Sequence, residues 1–198
     1  MKMQMGAAII AVIIIAAAAG FSLLALNKGE AEVHEHADFM LYINNEAVNL
    51  SQEKYMTHEG NVLSNFIHLH DGDGRIIHKH AADIDMGFFF RSLDMRFNSS
   101  CISLGEAGQY CNEGGKRLRM FVNGKENFEF NQYEPHDLDR ILITYGAEEG
   151  QIQQQIDSIS SEACLYSDKC PEKGSPPEES TCSADSGKCF PEPLKNFG

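Results

Sequence analysis

The sequence predicts an α+β domain that is rich in β-strand, with an apolar segment before it and a Cys-rich tail after it. Three observations support this fold class: apolar and polar residues alternate along short segments, turn residues such as Asn123-Gly124 separate these segments, and residues 84–95 carry apolar side chains at helical spacing. The predicted regions are an anchor or signal segment at 1–27, a β-rich globular domain at 34–146, an amphipathic helix at 147–162 and a Cys-rich, Pro-containing tail at 163–198.

The first predicted element is the apolar segment at 6–26, which has no charged residue and is about long enough to cross ~30 Å of hydrocarbon as a helix. Lys2 precedes it and acidic residues follow it, so the positive-inside rule favours a single-pass membrane anchor with the domain on the extracytoplasmic side. Two alternatives remain open. A signal peptide cleaved near residues 16–19 would release a secreted domain. A pilin-like N-terminus beginning at Gly6 would indicate a filament subunit.

The next predicted elements are two β-hairpins and a helix. Residues 34–43 alternate between apolar and polar side chains, and Asn44-Asn45 turns the chain into a second strand, because Asn tolerates a positive φ. A further hairpin is predicted at 66–80 around Asp71-Gly72-Asp73-Gly74. The helix at 84–95, with Asp83 or Asp85 as its N-cap, is expected to pack one apolar face on the sheet.

The remaining elements complete the predicted sheet and lead into the tail. A hairpin is predicted at 118–130, turning at Asn123-Gly124, and the strongly apolar segment 140–145 predicts a central strand. Ile152, Ile156 and Ile159 fall on one side of a helix at 148–160. Residues 163–198 contain few aliphatic residues and are therefore expected to need disulfides or docking for order.

Six of the eight histidines form three His-x-His pairs, and residues two apart on a strand share a face. If the hairpin loop comprises Gly72-Asp73-Gly74, with Gly74 in the left-handed region, His68 lies opposite His78 and four imidazoles share one face. A two-residue loop at Gly72-Asp73 would divide the pairs between opposite faces. The predicted metal ligands are His68, His70, His78 and His80, with His34 and His36 completing the site or forming a second one.

Neutral imidazole suits Zn²⁺ and Cu²⁺, which are the predicted cofactors. Asp38, Asp71 and Asp73 are candidates for ligands or for partners that fix the imidazole tautomers. A pH-responsive charge cluster and a set of surface histidines without a special role are the alternatives. His58 and His136 are isolated and are interpreted as structural.

Six cysteines, an even number, follow the apolar segment and indicate disulfides in an oxidising compartment. Sequential pairing joins Cys101 to Cys111, while the four tail cysteines allow three connectivities or a zinc site: Cys164, Cys170, Cys182 and Cys189. No Cys-x-x-Cys is present, which argues against a dithiol oxidoreductase. Asn49 and Asn98 begin sequons that could accept N-glycans on the extracytoplasmic side.

The composition of the chain limits the classes of partner that we expect it to bind. The chain has 198 residues with a formal net charge of −13 and therefore lacks the basic surface on which nucleic-acid binding depends. The expected partners are the membrane, through residues 6–26, and a protein at the cell surface, whereas the oligomeric state stays open. Serine-hydrolase, P-loop and dinucleotide motifs are missing from the sequence, so no enzyme activity is predicted.

Two resemblances add expectations. The order of hairpin, helix, hairpin and strand from 66 to 146, ending in DLDRILITYG, resembles the β-grasp arrangement and implies that the 34–50 hairpin is an added element. The segments HLHDGDGRIIHKHA, GFFFRSL and CLYSDKCPEKGSPPEES resemble uncharacterised membrane-anchored extracytoplasmic proteins of archaea, over residues 34–182. Some of these carry a protein-disulfide isomerase label, which implies a thiol- or disulfide-associated role but transfers no catalytic residue.

The predicted function is therefore a membrane-anchored extracytoplasmic domain that binds zinc or copper through His-x-His pairs on a β-hairpin. The alternatives are a thiol- or disulfide-associated protein and a cell-surface or filament subunit without a ligand.

Overall fold

The centre of the fold is a parallel pair of strands that joins the start of the domain to its end. In the computed structural model, which describes residues 33–174, 180–183 and 188–191, β1 (Glu35–Ile43) pairs with β10 (Arg140–Tyr145), with Phe39 opposite Ile141. Every other strand pairing in this sheet is antiparallel. The sheet is therefore mixed. The described fold is rich in β-strand and has few helices, as the α+β class predicts.

Seven strands make up the sheet. The strands β2 (Glu46–Ala47), β3 (Ile67–His68), β4 (Ile76–Lys79), β8 (Leu118–Val122) and β9 (Lys125–Asn127) join β1 and β10 in the order β3-β4-β1-β10-β8-β9, with β2 on β1. The central position predicted for residues 140–145 is confirmed. The hairpin turns at Asn44-Asn45 and Asn123-Gly124 are also confirmed, since all four residues have positive φ.

The prediction that the 34–50 hairpin is an added element is wrong, because β1 lies in the middle of the sheet. Alternation along β1 suggested one buried and one exposed face. The structure also buries part of the polar face, since His36 and Asp38 are as inaccessible as Phe39 and Leu41, whereas Met40 and Tyr42 are half-buried. The polar face is covered by residues 160–167, which return to it from the far end of the domain.

One face of the sheet carries the main core. Helix α1 (Met86–Ser92) begins at Asp85, whose side chain accepts a hydrogen bond from the Phe88 amide, so the Asp85 alternative for the N-cap is confirmed. Its Phe89 and Phe90 are fully buried and lie edge-on to Phe39. The opposite face is covered in part by α2 (Glu149–Ser158), whose Ile152 and Ile156 join a second, smaller apolar cluster.

The remaining elements are short. Strands β5 (Arg96–Phe97), β6 (Cys101–Ser103) and β7 (Gln109–Cys111) form a separate antiparallel sheet, α3 (Ala163–Tyr166) follows α2, and β11 (Ser180–Ser183) pairs with β12 (Lys188–Pro191). Single 3₁₀ turns occur at Glu53–Tyr55, Gly105–Ala107, Phe130–Gln132 and Pro171–Lys173. None of the helices in the described part of the chain is long and apolar enough to cross a membrane, and the predicted span at 6–26 lies outside that part.

The hairpin between β3 and β4 has the predicted pairing, with His68 opposite His78, but for a different reason. The residues with positive φ in its loop are Asp71 and Gly72, not Gly74. Gly74 is needed because the loop approaches the chain after β2. A Cβ at this position would lie 2.5 Å from the Ser51 amide nitrogen and against the Leu50 carbonyl carbon.

Replacing Gly74 with Ala should therefore destabilise the domain by about 2–3 kcal/mol, because two backbone segments must separate. The measurement is urea unfolding of the purified protein. Gly150→Ala is the matched control, since an added Cβ there meets nothing within 4 Å and Ala favours a helix. Equal stability of the two variants would contradict the close approach at Gly74.

Candidate functional site

The six paired histidines lie together on three adjacent strands of the sheet. His36 on β1 stands opposite His78 on β4, and His78 stands opposite His68 on β3. Side chains two residues apart on a strand share a face, so His34 lies on the same face as His36, and His80 on the same face as His78. The predicted register therefore unites all six side chains, which we call the histidine cluster: His34, His36, His68, His70, His78 and His80.

The rings of the histidine cluster follow one another in a closed circuit. The centroid distances around it are 3.7 Å for His70–His78, 4.8 Å for His78–His36, 4.7 Å for His36–His34, 4.8 Å for His34–His80, 5.0 Å for His80–His68 and 5.5 Å for His68–His70. Each ring is thus in contact with its neighbours in the circuit.

Much of the cluster is buried. His36, His68, His70 and His78 have exposed fractions of 3% or less, whereas His34 and His80 are half-buried at one side of the cluster. Burial of four polar rings on a sheet face costs free energy unless hydrogen bonds or other interactions compensate for lost water. Histidines on an exposed strand would be accessible to solvent, whereas four of these six are buried.

Hydrogen bonds fix the tautomers of three of these rings. The Nδ1 of His68 lies 2.8 Å from the Ser64 carbonyl oxygen, which can only accept, so Nδ1 carries the proton. The Nδ1 of His70 donates to the Asp71 carboxylate across 2.6 Å. In the neutral form of both rings the lone pair is therefore on Nε2, the arrangement that metal-ligating histidines take when an outer oxygen binds the other nitrogen.

The third ring is fixed through a relay. The Nδ1 of His36 lies 2.8 Å from the Ser167 hydroxyl, which donates to the Asp137 carboxylate across 2.5 Å. Because Ser167 gives its proton to Asp137, it accepts from the Nδ1 of His36, so in the neutral ring the lone pair is on Nε2. Burial alone would raise the pKa of Asp137, but hydrogen bonds from Lys169 and Ser167 outweigh it and hold the pKa below its ordinary value.

A short segment after α2 covers the cluster. The ring of Tyr166, at the end of α3, lies 4.9 Å from that of His78 and 5.5 Å from that of His36. We call residues 160–170 the cover segment. Its fixed point is the buried Asp38 carboxylate, which accepts hydrogen bonds from the Ser160 hydroxyl and from the Glu162 and Ala163 amides.

A disulfide closes the end of the cover segment. Cys164 and Cys170 are bonded with their Cα atoms 5.5 Å apart, and Tyr166 and Ser167 lie inside the loop that this bond makes. Cys101 and Cys111 form another disulfide, across β6 and β7, as predicted. The backbone of the β11–β12 hairpin places Cys182 opposite Cys189, and residues 33–174 contain no free cysteine.

Lys79 lies on the opposite face of β4 from His78 and His80, and its hydrogen bonds connect β4 to neighbouring segments. The Lys79 ammonium group is buried and donates to Glu35, Glu134 and the Pro135 carbonyl, at 2.8, 2.7 and 3.0 Å. Burial alone lowers the pKa of Lys79, but the two carboxylates outweigh it and raise the pKa above its ordinary value. Because Lys79 lies between His78 and His80, these bonds help to fix the strand that carries both.

Replacing Lys79 with Met should lower the free energy of unfolding by about 2 kcal/mol at pH 7, because Glu35 and Glu134 lose their shared cation. The pKa of Glu134 is lowered mainly by its hydrogen bond from Lys79, so this stabilisation is present above the ordinary glutamate pKa and is lost as the pH falls below it. Urea unfolding at pH 7 and at pH 3.5 should show the difference shrinking. The exposed Lys125→Met should show little effect at either pH.

Several predicted site residues have other roles. Asp38 lies beside the cluster in sequence but fixes the cover segment, and Asp73 binds Arg75. Asp71 does bind an imidazole, that of His70, as predicted. His58 and His136 lie outside the circuit of rings. Asn49 and Asn98 are both exposed, and each side-chain oxygen accepts a backbone amide two residues ahead.

Tyr166, Ser167 and Asp137 were not identified from the sequence, because nothing in their spacing points to the histidines. As the side chains stand, no group of three or more His, Cys, Asp or Glu residues in the described part of the chain has the arrangement that holds a metal ion. Comparison of the chain with protein-family models, with curated proteins and with solved structures found no match.

Proposed function

We propose that this protein is a membrane-anchored extracytoplasmic domain that binds a transition metal ion, Zn²⁺ or Cu²⁺, through the histidine cluster. The observation that carries the proposal is the set of three buried imidazoles whose Nδ1 atoms are held by protein oxygens. In its neutral form each of these rings has its lone pair on Nε2, which is the protonation state that a metal ligand needs.

The spacing of the rings supports the proposal. With a Zn–N distance of ~2.0–2.1 Å, two imidazoles on one tetrahedral ion have their centroids ~5 Å apart. Five of the six distances around the circuit, from 4.7 to 5.5 Å, are close to this value. His70 and His78, at 3.7 Å, are closer than such a pair and must rotate apart to share an ion.

The chemistry of the ligands limits which metal ions the cluster would bind. A set made of neutral imidazoles favours zinc or copper over calcium and magnesium, which prefer oxygen ligands. Copper(II) has the higher intrinsic affinity for nitrogen ligands wherever both ions are present.

Location outside the cytoplasm is part of the same proposal. It is supported by the apolar, uncharged segment at 6–26 and by two disulfides in the described residues, because disulfides persist in oxidising compartments. Such a position would expose the cluster to metal ions from the surroundings of the cell.

We further propose that the sheet is a β-grasp. Its support is the order β4-β1-β10-β8-β9 around a parallel central pair, with α1 in the connection between the two hairpins. In this interpretation β1 and β4 form the first hairpin of the fold, and β2 and β3 are additions. The likeness concerns architecture and implies no activity.

The test is the metal content of the full chain, purified in detergent without a polyhistidine tag and analysed by mass spectrometry before and after exposure to Zn²⁺ or Cu²⁺. We expect at least one ion per chain, retained through gel filtration. His58→Gln with His136→Gln should leave this content unchanged, because both residues lie outside the cluster. A chain that stays metal-free after exposure to both ions would refute the proposal.

A further inference from the structure

We propose that the histidine cluster contains two separate metal sites, an inner site of His68, His70 and His78 and an outer site of His34, His36 and His80. The inference rests on the proposed function, and it specifies how the six ligands are divided. It follows from the size of the cluster, from the distances between its rings and from the difference in burial between the two sets.

The cluster is too wide for one ion. The register pairs β1 with β4 from Glu35 and β4 with β3 up to His68, and His34 and His70 lie just beyond its opposite ends. When the two outer strands are extended to these residues at ordinary strand spacing, their Cα atoms lie ~16 Å apart. Two histidines that bind one ion through Nε2 have Cα atoms at most ~13 Å apart, from ~4.5 Å of side chain and ~2.1 Å of Zn–N bond on each side. His34 and His70 therefore cannot share an ion.

The inner set is compact and dry. Its three centroid distances are 3.7, 5.5 and 6.1 Å, and each of its residues has an exposed fraction of 3% or less. Two of its rings have Nδ1 fixed, by Ser64 and by Asp71. An ion held here is enclosed by protein, so we expect the inner site to exchange slowly.

The outer set is open to solvent on one side. His34 lies 4.7 Å from His36 and 4.8 Å from His80, between ring centroids, and both His34 and His80 are half-buried. The two sets touch through His36 with His78 and through His80 with His68, at 4.8 and 5.0 Å. An ion that arrives at the outer site therefore lies next to the ligands of the inner one.

The experiment measures zinc stoichiometry in three forms of the full chain, each saturated with Zn²⁺ and desalted. We expect two zinc ions per chain in the natural sequence. One should remain in His34→Gln with His80→Gln, whose half-buried positions tolerate the change, and two should remain in the control His58→Gln with His136→Gln. A second measurement, on the natural chain loaded with Cu²⁺, should show the half-field electron paramagnetic resonance signal of two nearby ions.

The outcomes separate this inference from the proposed function. No zinc in the natural chain would refute the proposed function itself. One zinc in the natural chain, without a half-field copper signal, would leave the proposed function standing and overturn the two-site division. Complete loss of zinc in the outer variant would also overturn the division, because it would make all six histidines a single unit.

Discussion

The affinity for Zn²⁺ should fall at least a hundredfold when His78 is replaced by Gln. His78 is fully buried, and its ring contacts those of His36, His70 and Tyr166. Removal of a ligand from a three-histidine site leaves two, and the loss exceeds the ten- to hundredfold effects that follow the removal of outer hydrogen-bond partners. The measurement is competition with a zinc-binding dye at equilibrium.

The control for His78 is His58→Gln, which removes a histidine outside the circuit of rings and should leave the affinity unchanged. Gln keeps a polar side chain at position 78, and near-ultraviolet circular dichroism reports whether the core remains packed. A folded His78→Gln protein that binds zinc with unaltered affinity and unaltered stoichiometry would exclude His78 as a ligand and contradict the proposed site.

Bound metal should be released about tenfold faster when the Cys164–Cys170 disulfide is removed. The bond closes the loop that contains Tyr166 and Ser167, and these residues contact the rings of His36 and His78. When both cysteines are replaced by Ser, the loop gains conformational freedom, so the cover segment opens more often. On a chain-entropy estimate the domain also loses about 2 kcal/mol of stability.

The Cys101–Cys111 disulfide provides the matched control. Replacing Cys101 and Cys111 by Ser opens a loop of similar length and should cost a similar amount of stability, about 3 kcal/mol. This bond lies in the small sheet of β5, β6 and β7, so metal release should keep its normal rate. The measurement is the transfer of zinc to excess chelator over time. Equal acceleration in both variants would attribute the effect to general destabilisation instead of to the cover segment.

Local patterns in the sequence predicted the hairpins and the face that the histidines share. Alternation and turn residues are properties of neighbouring positions, which is why the pairing of His68 with His78 could be derived from spacing. The role of Gly74 could not, because it depends on the close approach of Leu50 and Ser51, which are more than twenty residues away in the chain.

The cover segment was missed for a related physical reason. Helix α3 has four residues, too few to show a periodicity, and it is fixed by the Asp38 carboxylate from the opposite end of the domain. Alternation along β1 was correctly detected, but a polar residue on a strand is ordinarily assigned to solvent. Only the three-dimensional structure shows that this polar face is covered.

The parallel pairing of β1 with β10 has a consequence for the order in which the protein is made. All six residues of the histidine cluster have been synthesised by residue 80, yet β1 lacks its parallel partner until residues 140–145 emerge, and Tyr166 and Ser167 follow later still. Contacts between such distant parts of a chain form slowly, because a large loop must close first. Nascent chains therefore display uncovered imidazoles until synthesis has passed the cover segment.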